Sequence, residues 1–301
     1  DVIQKGVPAE YKVLILPDDI KVRPAAKKKL DRFLAKGGKL FITGKSALNE
    51  KGDGFLFNLP VSYHGESTFQ PDYVLPRKDL QPSFVHSPLV MYVKSQRIKV
   101  KAGNRRRQGY VGQEGESLGA VHEPYFNRDF RHFCSHQHAP FKPRASGYDA
   151  GVLAGNILYL AHPVFTLYKG LGAVAYKEYV IKALELLLGD AKTLQTNLPS
   201  TARTSIMDQP SEKRYVAHFL YANTIDRGGQ MSWLYGGSRP VEVVEELLPL
   251  HDVQATLHLP NRVKRVTLEP QGKPLAFESS NGRIRIKLDR LVCHQMVVCH
   301  Y

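Results

Sequence analysis

Tyr11-Lys-Val-Leu-Ile-Leu-Pro-Asp-Asp-Ile20, a helix-like run, and then Gly37-Gly-Lys-Leu-Phe-Ile-Thr-Gly-Lys-Ser46 decide the fold of the first half of this chain. Val13 to Leu16 is a continuous apolar run, as suits a strand covered on both faces, and Pro17-Asp18-Asp19 ends it. Ala25, Leu30, Phe33 and Leu34 then recur at helical spacing. Pro24 is placed for a first turn and Gly37-Gly38 for the stop. Leu40 to Thr43 forms the next strand and runs into Gly44. Strand, helix and strand in that order predict an open α/β sheet of the flavodoxin-like kind, whose ligands bind where strands end.

Working outward, positions 156–161 are an apolar strand, and a helix is predicted over about 172–188. Ala173, Tyr176, Val180, Ala183, Leu184 and Leu187 mark its buried face, and Gly189 suits its C-terminal cap. Between the two halves of this α/β domain (1–190), residues 52–115 read as a β-rich insertion. Its short pieces, at Phe55-Leu-Phe57, Tyr73-Val-Leu75, Leu89-Val-Met-Tyr-Val93 and Arg97-Ile-Lys-Val-Lys101, are broken by Gly, Pro and Asn. Residues 116–150 read as loop. From 191 to 301 the pattern is all-β, with turn residues at the spacing of a sandwich.

The chain has 301 residues, 43% hydrophobic and 23% charged, ordinary values for a globular protein with one large domain or two smaller ones. No run reaches the roughly 18 apolar residues of a membrane helix. The chain opens at Asp1 without Met, which suggests a removed leader or a piece of something longer. Its three cysteines, Cys134, Cys293 and Cys299, are too few for a disulfide scaffold. On one strand the last two would point the same way, roughly 20 Å apart. The formal charge of +14 admits an anionic partner. The basic runs Lys27-Lys28-Lys29 and Arg105-Arg106-Arg107 are short and not interleaved with aromatics, which disfavours nucleic acid. The compartment is left open.

The phrases Tyr11 to Ile20, Phe33-Leu-Ala-Lys-Gly-Gly-Lys-Leu-Phe-Ile-Thr-Gly44, Tyr125-Phe-Asn-Arg128, His132-Phe-Cys-Ser-His-Gln-His138 and Ala161-His-Pro-Val-Phe165 occur in order along the chain. Arg214-Tyr-Val-Ala-His218 and His294-Gln-Met-Val-Val298 follow. The series resembles the C-terminal part of a family of glycoside hydrolases. In that layout a catalytic (β/α)8 barrel precedes a class I amidotransferase-like α/β domain, similar to a β-galactosidase trimerisation domain, and a closing β domain. The resemblance implies a non-catalytic accessory and assembly region, with a β-galactosidase- or α-L-fucosidase-like parent. It also implies a homo-oligomer, a carbohydrate substrate bound through the missing barrel, and no cofactor or membrane partner. The helix over 24–36 is too basic for an oligomer face, so the β insertion is the better candidate.

Such amidotransferase domains use Cys, His and Glu. Here Ser46 stands near the elbow position, His162 keeps the His-Pro pair, and Val164 replaces the Glu, so glutamine hydrolysis is not expected. Two alternatives remain. One is a stand-alone hydrolase built on Ser46 and His162; the bland reading is that these residues cap a helix and a strand end. The other is a carbohydrate-binding module using Trp233 and Tyr235 as a stacking platform, against which stands the frequency of Trp in cores. His132, Cys134, His136 and His138 alternate, so an extended strand would point all four to one side as weak candidates for zinc. With Tyr125, Asn127, Arg128 and Arg131 they also read as a ligand- or partner-binding loop, since sugars are held by aromatic faces and fixed polar groups. Asp18 and Asp19 read as turn and helix-entry residues.

Overall fold

The computed structural model describes residues 2–101, 114–228 and 240–301, in two compact units, Asp1–Ala191 and Lys192–Tyr301. Trp233, Tyr235 and Arg105-Arg106-Arg107 lie outside the described residues.

The first unit begins with a helical turn α1 (Val2–Lys5), then β1 (Val13–Leu16), α2 (Pro24–Ala35) and β2 (Lys39–Thr43). Six short strands follow: β3 (Val61–Glu66), β4 (Asp72–Pro76), β5 (Leu89–Met91), β6 (Gln96–Val100), β7 (Glu116–Ser117) and β8 (Gly119–His122). The unit closes with β9 (Gly151–Ala154), β10 (Ile157–Leu160), α3 (Val164–Leu171) and α4 (Val174–Leu188). Its main sheet has the order β1-β2-β10-β9-β7, with β1, β2 and β10 parallel, β9 antiparallel to β10, and β7 antiparallel to β9.

Side chains of a strand alternate between faces, and here that alternation builds two cores. Leu40, Ile42, Ile157 and Tyr159 join Leu30 and Phe33 of α2 on one face. Phe41, Leu158 and Leu160 join Val164, Leu167 and the buried stripe of α4 on the other. The sheet is therefore covered on both faces, which explains why β2 and β10 read as unbroken apolar runs. β1 departs from that expectation: it is the edge strand, only half-buried, with Ile15 40% exposed.

The β-rich segment pairs β3 with β6 and places β4 between β5 and β8. Phe55-Leu-Phe57 is not a strand; the Phe55 ring instead sits edge-on to Tyr63 and Tyr159, and Phe57 is buried. Gly119 opens β8 at φ +136, where an added Cβ would lie 2.4 Å from the Leu75 carbonyl oxygen, so only glycine fits this crossing with β4. α3 was not legible as a separate helix. Gly172, at φ +66, ends it with a left-handed cap before α4 begins.

The second unit holds β11 (Leu194–Thr196), β12 (Arg203–Gln209), β13 (Arg214–Tyr221), β14 (Ile225–Arg227), β15 (Val241–Val243) and β16 (Leu250–His258). After these come β17 (Arg265–Glu269), β18 (Lys273–Pro274), β19 (Phe277–Ser280), β20 (Arg283–Leu291) and β21 (Cys293–His300). Two antiparallel sheets, β11-β16-β20-β19 and β12-β13-β21-β17-β18, face each other across one core, with β14 and β15 as a separate ribbon. Val253, Ala255, Leu257, Ile284, Ile286 and Leu288 come from one sheet. Tyr215, Ala217, Phe219, Val266, Val297 and Cys299 come from the other, giving a sandwich. Cys293 and Cys299 share β21, and all three cysteines are free. Burial pushes the Cys299 thiol up to about 11, which keeps it protonated and unreactive near neutral pH.

Candidate functional site

In the first unit the polar chemistry gathers where the parallel strands end. β1 runs into Asp18, a buried residue at φ +53. Thr43, at the end of β2, donates its hydroxyl to Asp18 Oδ1 at 2.5 Å and accepts the Asp18 N–H at 2.8 Å. The same carboxylate accepts the N–H groups of Thr166 (2.5 Å) and Phe165 (3.4 Å) in the first turn of α3. The N-cap residue of that helix is Pro163, which has no side-chain oxygen to offer, so Asp18 supplies the cap from a distant strand. This differs from the turn role expected of it.

Gly44 follows β2 at φ +56, and an added Cβ there would meet the Asp18 carbonyl oxygen at 2.7 Å. The Lys45 N–H donates to that same oxygen at 2.6 Å. Ser46 is fully buried and its Oγ accepts the Ile20 N–H at 2.8 Å, tying the loop after β1 to the turn after β2.

His162 is 1% exposed, and its Nε2 lies 2.6 Å from Asp72 Oδ1. The other carboxylate oxygen accepts the Ser95 hydroxyl at 2.7 Å. Ser95, Asp72 and His162 therefore form a chain with the carboxylate in the middle. A hydrolytic triad needs the imidazole between hydroxyl and carboxylate, so that the base can take the nucleophile's proton. Here the imidazole makes no hydrogen bond to the hydroxyl, and all three side chains are shielded from solvent. Ser46 and His162 are each committed to other partners, with no hydrogen bond between them. A fluorophosphonate serine probe should accordingly leave the folded chain unlabelled; labelling that disappears in Ser46→Ala would contradict this geometry.

The loop after β8 is anchored at both ends. Asn127 accepts the Gln70 N–H at 3.0 Å and donates to the Thr68 carbonyl at 2.8 Å. His138 Nδ1 meets the Tyr92 hydroxyl at 2.7 Å, and its ring packs edge-on to Tyr73 and Tyr92. Between the anchors the backbone bends instead of running as a strand. Asp129 accepts the N–H groups of Arg131 and His132 and faces the His132 ring. Those bonds hold its carboxyl below the usual carboxylate range. Arg128 Nη1 donates to the His136 carbonyl at 2.6 Å, and the Cys134 thiol lies 3.5 Å from that oxygen. The four alternating residues do not converge, and no group of three metal-ligating side chains comes together among the described residues.

What the loop presents to solvent is aromatic and basic. Tyr125, Phe130 and Phe133 are 56%, 89% and 73% exposed. Arg128 lies over the Phe133 ring at 5.5 Å, and Arg131 over Phe130 at 5.0 Å. In the second unit, β13 and β21 pair directly, so the phrases around His218 and His294 become neighbours, with the two imidazoles 3.0 Å apart.

The sequence singled out Ser46, His162 and the histidine loop but did not reveal Asp72, Ser95 or the bonding of Asp18. The one available signal for Asp72 was a charge opening the apolar run Tyr73-Val-Leu75.

No protein-family model matches the chain, and no curated protein does. Among solved structures it is similar to α-L-fucosidase isoenzyme 2 from Paenibacillus thiaminolyticus. That match has 37% identity over 97% of this chain and a TM-score of 0.86. The chain spans 41% of that enzyme's length. A cold-adapted β-galactosidase from Rahnella sp. R3 also matches 96% of the chain and 32% of its own, but at 12% identity and a TM-score of 0.45 it is too distant to inform the fold. The chain is thus a mixed α/β and β-sandwich region related to a glycoside hydrolase.

Proposed function

We propose that the chain is the non-catalytic accessory and assembly region of an α-L-fucosidase-like glycoside hydrolase. Its first unit is read as a flavodoxin-like, amidotransferase-derived domain that has lost its own chemistry. The observation that carries this reading is the 37% identity sustained across 97% of the chain, against only 41% of the fucosidase. The strand-end geometry supports it, since the serine and histidine that an independent hydrolase would need are buried and bonded apart. In this reading the aromatic and arginine tip of the loop over 125–138 serves the rim of an active site or a subunit contact within a homo-oligomer. Carbohydrate is then bound chiefly by the rest of the parent enzyme.

Hydrolysis of an aryl α-L-fucoside tests it. The parent polypeptide should cleave the substrate and this chain alone should not. Phe133→Ala or Arg128→Ala in the parent should lower kcat/KM about tenfold or more, the loss of roughly 1.4 kcal/mol of transition-state stabilisation, with Tm unchanged. An unchanged oligomer mass would assign the loop to the rim; a reduced mass would assign it to assembly. Full activity and full assembly in both variants would remove the loop from the proposal.

A further inference from the structure

We infer that the cleft between the segment after α1 and one face of α2 binds an anionic, sulfated saccharide. The cleft has a volume of about 360 Å³, within the range of small-ligand sites, and is lined by Lys5, Tyr11, Lys29, Arg32, Phe33 and Lys36 together with short backbone stretches. Lys29, Arg32 and the C-cap residue Lys36 are spaced i, i+3, i+7 on α2, which puts them on one stripe, and Lys5 lines the same opening.

Four cations therefore surround one cleft, and no carboxylate lines it. Like charges at this spacing destabilise a helix by a few tenths of a kcal/mol per pair. The negative C-terminal end of α2 accounts for Arg32 and Lys36 but not for Lys29 or Lys5. The contrast within the same helix is informative. Lys27, on another face, is neutralised by Asp31 at 2.6 Å and lies over the Phe57 ring. None of the four cleft cations takes part in an ion pair among the described residues. A bound anion would resolve that repulsion.

The lining also selects against a neutral sugar. Hydroxyl groups are held by acceptors as well as donors, and the cleft offers no Asp, Glu, Asn or Gln side chain. Its charged side chains donate only, as a ligand rich in acceptor oxygens requires, and Arg32 can grip two such oxygens at once. Tyr11, 53% exposed, supplies one aromatic face for the apolar side of a sugar ring. A nucleic acid would need successive aromatic platforms along a groove, and a single exposed ring in a small cleft does not provide them. The anionic part of this inference rests on the cations alone; the saccharide part rests on the function proposed above.

The test is calorimetric titration of the full chain with a trisulfated heparin disaccharide, its desulfated counterpart, sodium sulfate and a short single-stranded DNA. The sulfated disaccharide should bind and the desulfated one should not. Arg32→Glu should weaken binding at least tenfold. Lys5→Glu, which lies outside α2 and leaves that helix untouched, should do the same, while Lys21→Glu away from the cleft should not. No binding, equal binding of the desulfated sugar, or indifference to both cleft variants overturns the proposal. Sulfate binding with the affinity of the disaccharide would leave an adventitious ion only, and DNA binding as tightly would replace the saccharide with nucleic acid. Each of those failures leaves the accessory role standing, because that role is read from fucoside hydrolysis. An inactive parent with intact, cleft-dependent disaccharide binding would fail the accessory role alone.

Discussion

Asp72→Ala should lower the unfolding free energy by about 3–5 kcal/mol, because it leaves two buried hydrogen-bonding groups without their shared acceptor. The carboxylate is wholly buried and its two oxygens are used by different residues, His162 at 2.6 Å and Ser95 at 2.7 Å. Deleting it strands an imidazole and a hydroxyl in a site that water does not reach, and each unsatisfied group costs about 1–3 kcal/mol. His162→Ala should be comparably damaging, because the carboxylate then keeps only the Ser95 hydroxyl. The double variant should cost less than the sum of the two, since the residues share one interaction. Urea denaturation measures this as a shift in midpoint at constant m. A loss below about 1 kcal/mol would show that the cluster is not the structural clamp described, surface-like values being that small. The cluster joins β4, the loop before β6 and the turn after β10, so its removal loosens the β-rich segment from the end of the parallel sheet.

Asp18→Ala should cost about 3 kcal/mol, and for different reasons. Loss of a helix cap accounts for about 1 kcal/mol. Asp also tolerates left-handed φ better than Ala, and Asp18 sits at +53. The buried Thr43 hydroxyl also loses its acceptor. Asp18→Asn keeps one acceptor oxygen and tolerates positive φ, so it should retain much of that stability. Asp19→Ala, at the exposed neighbouring position, should stay within about 0.5 kcal/mol. Hydrogen exchange gives a local readout: the Phe165 and Thr166 amides should lose protection in Asp18→Ala and keep it in Asp19→Ala. Equal effects at the two positions would contradict the remote cap.

The legible parts of this protein share one property, that the signal lay within a few residues. Pro24, the spacing of Leu30, Phe33 and Leu34, and Gly37-Gly38 define α2 as a local pattern, and the helix is Pro24–Ala35. The alternation of Ile284, Ile286 and Leu288 in β20 likewise carries the sandwich face. Phe55-Leu-Phe57 misled because aromatic residues suit strands and tertiary packing alike, and here packing on Tyr63 and Tyr159 prevailed. His132, Cys134, His136 and His138 misled because alternation positions ligands only on an extended backbone. Asp129 and Arg128 bend that backbone through bonds that spacing does not reveal.

The sequence by itself determined the βαβ opening, the all-β second half and the surplus of positive charge, all of which follow from periodicity and composition. Only the tertiary structure decided that β1 is an edge, that Asp18 caps a helix nearly 150 positions away in sequence, and that His162 is bound to Asp72 and not to Ser46. It likewise decided that the four cleft cations share one opening. The physical reason is the same in each case. Periodicity reports which face of an element is apolar, whereas the partner of a polar group is set by chain crossings, and no local pattern encodes those.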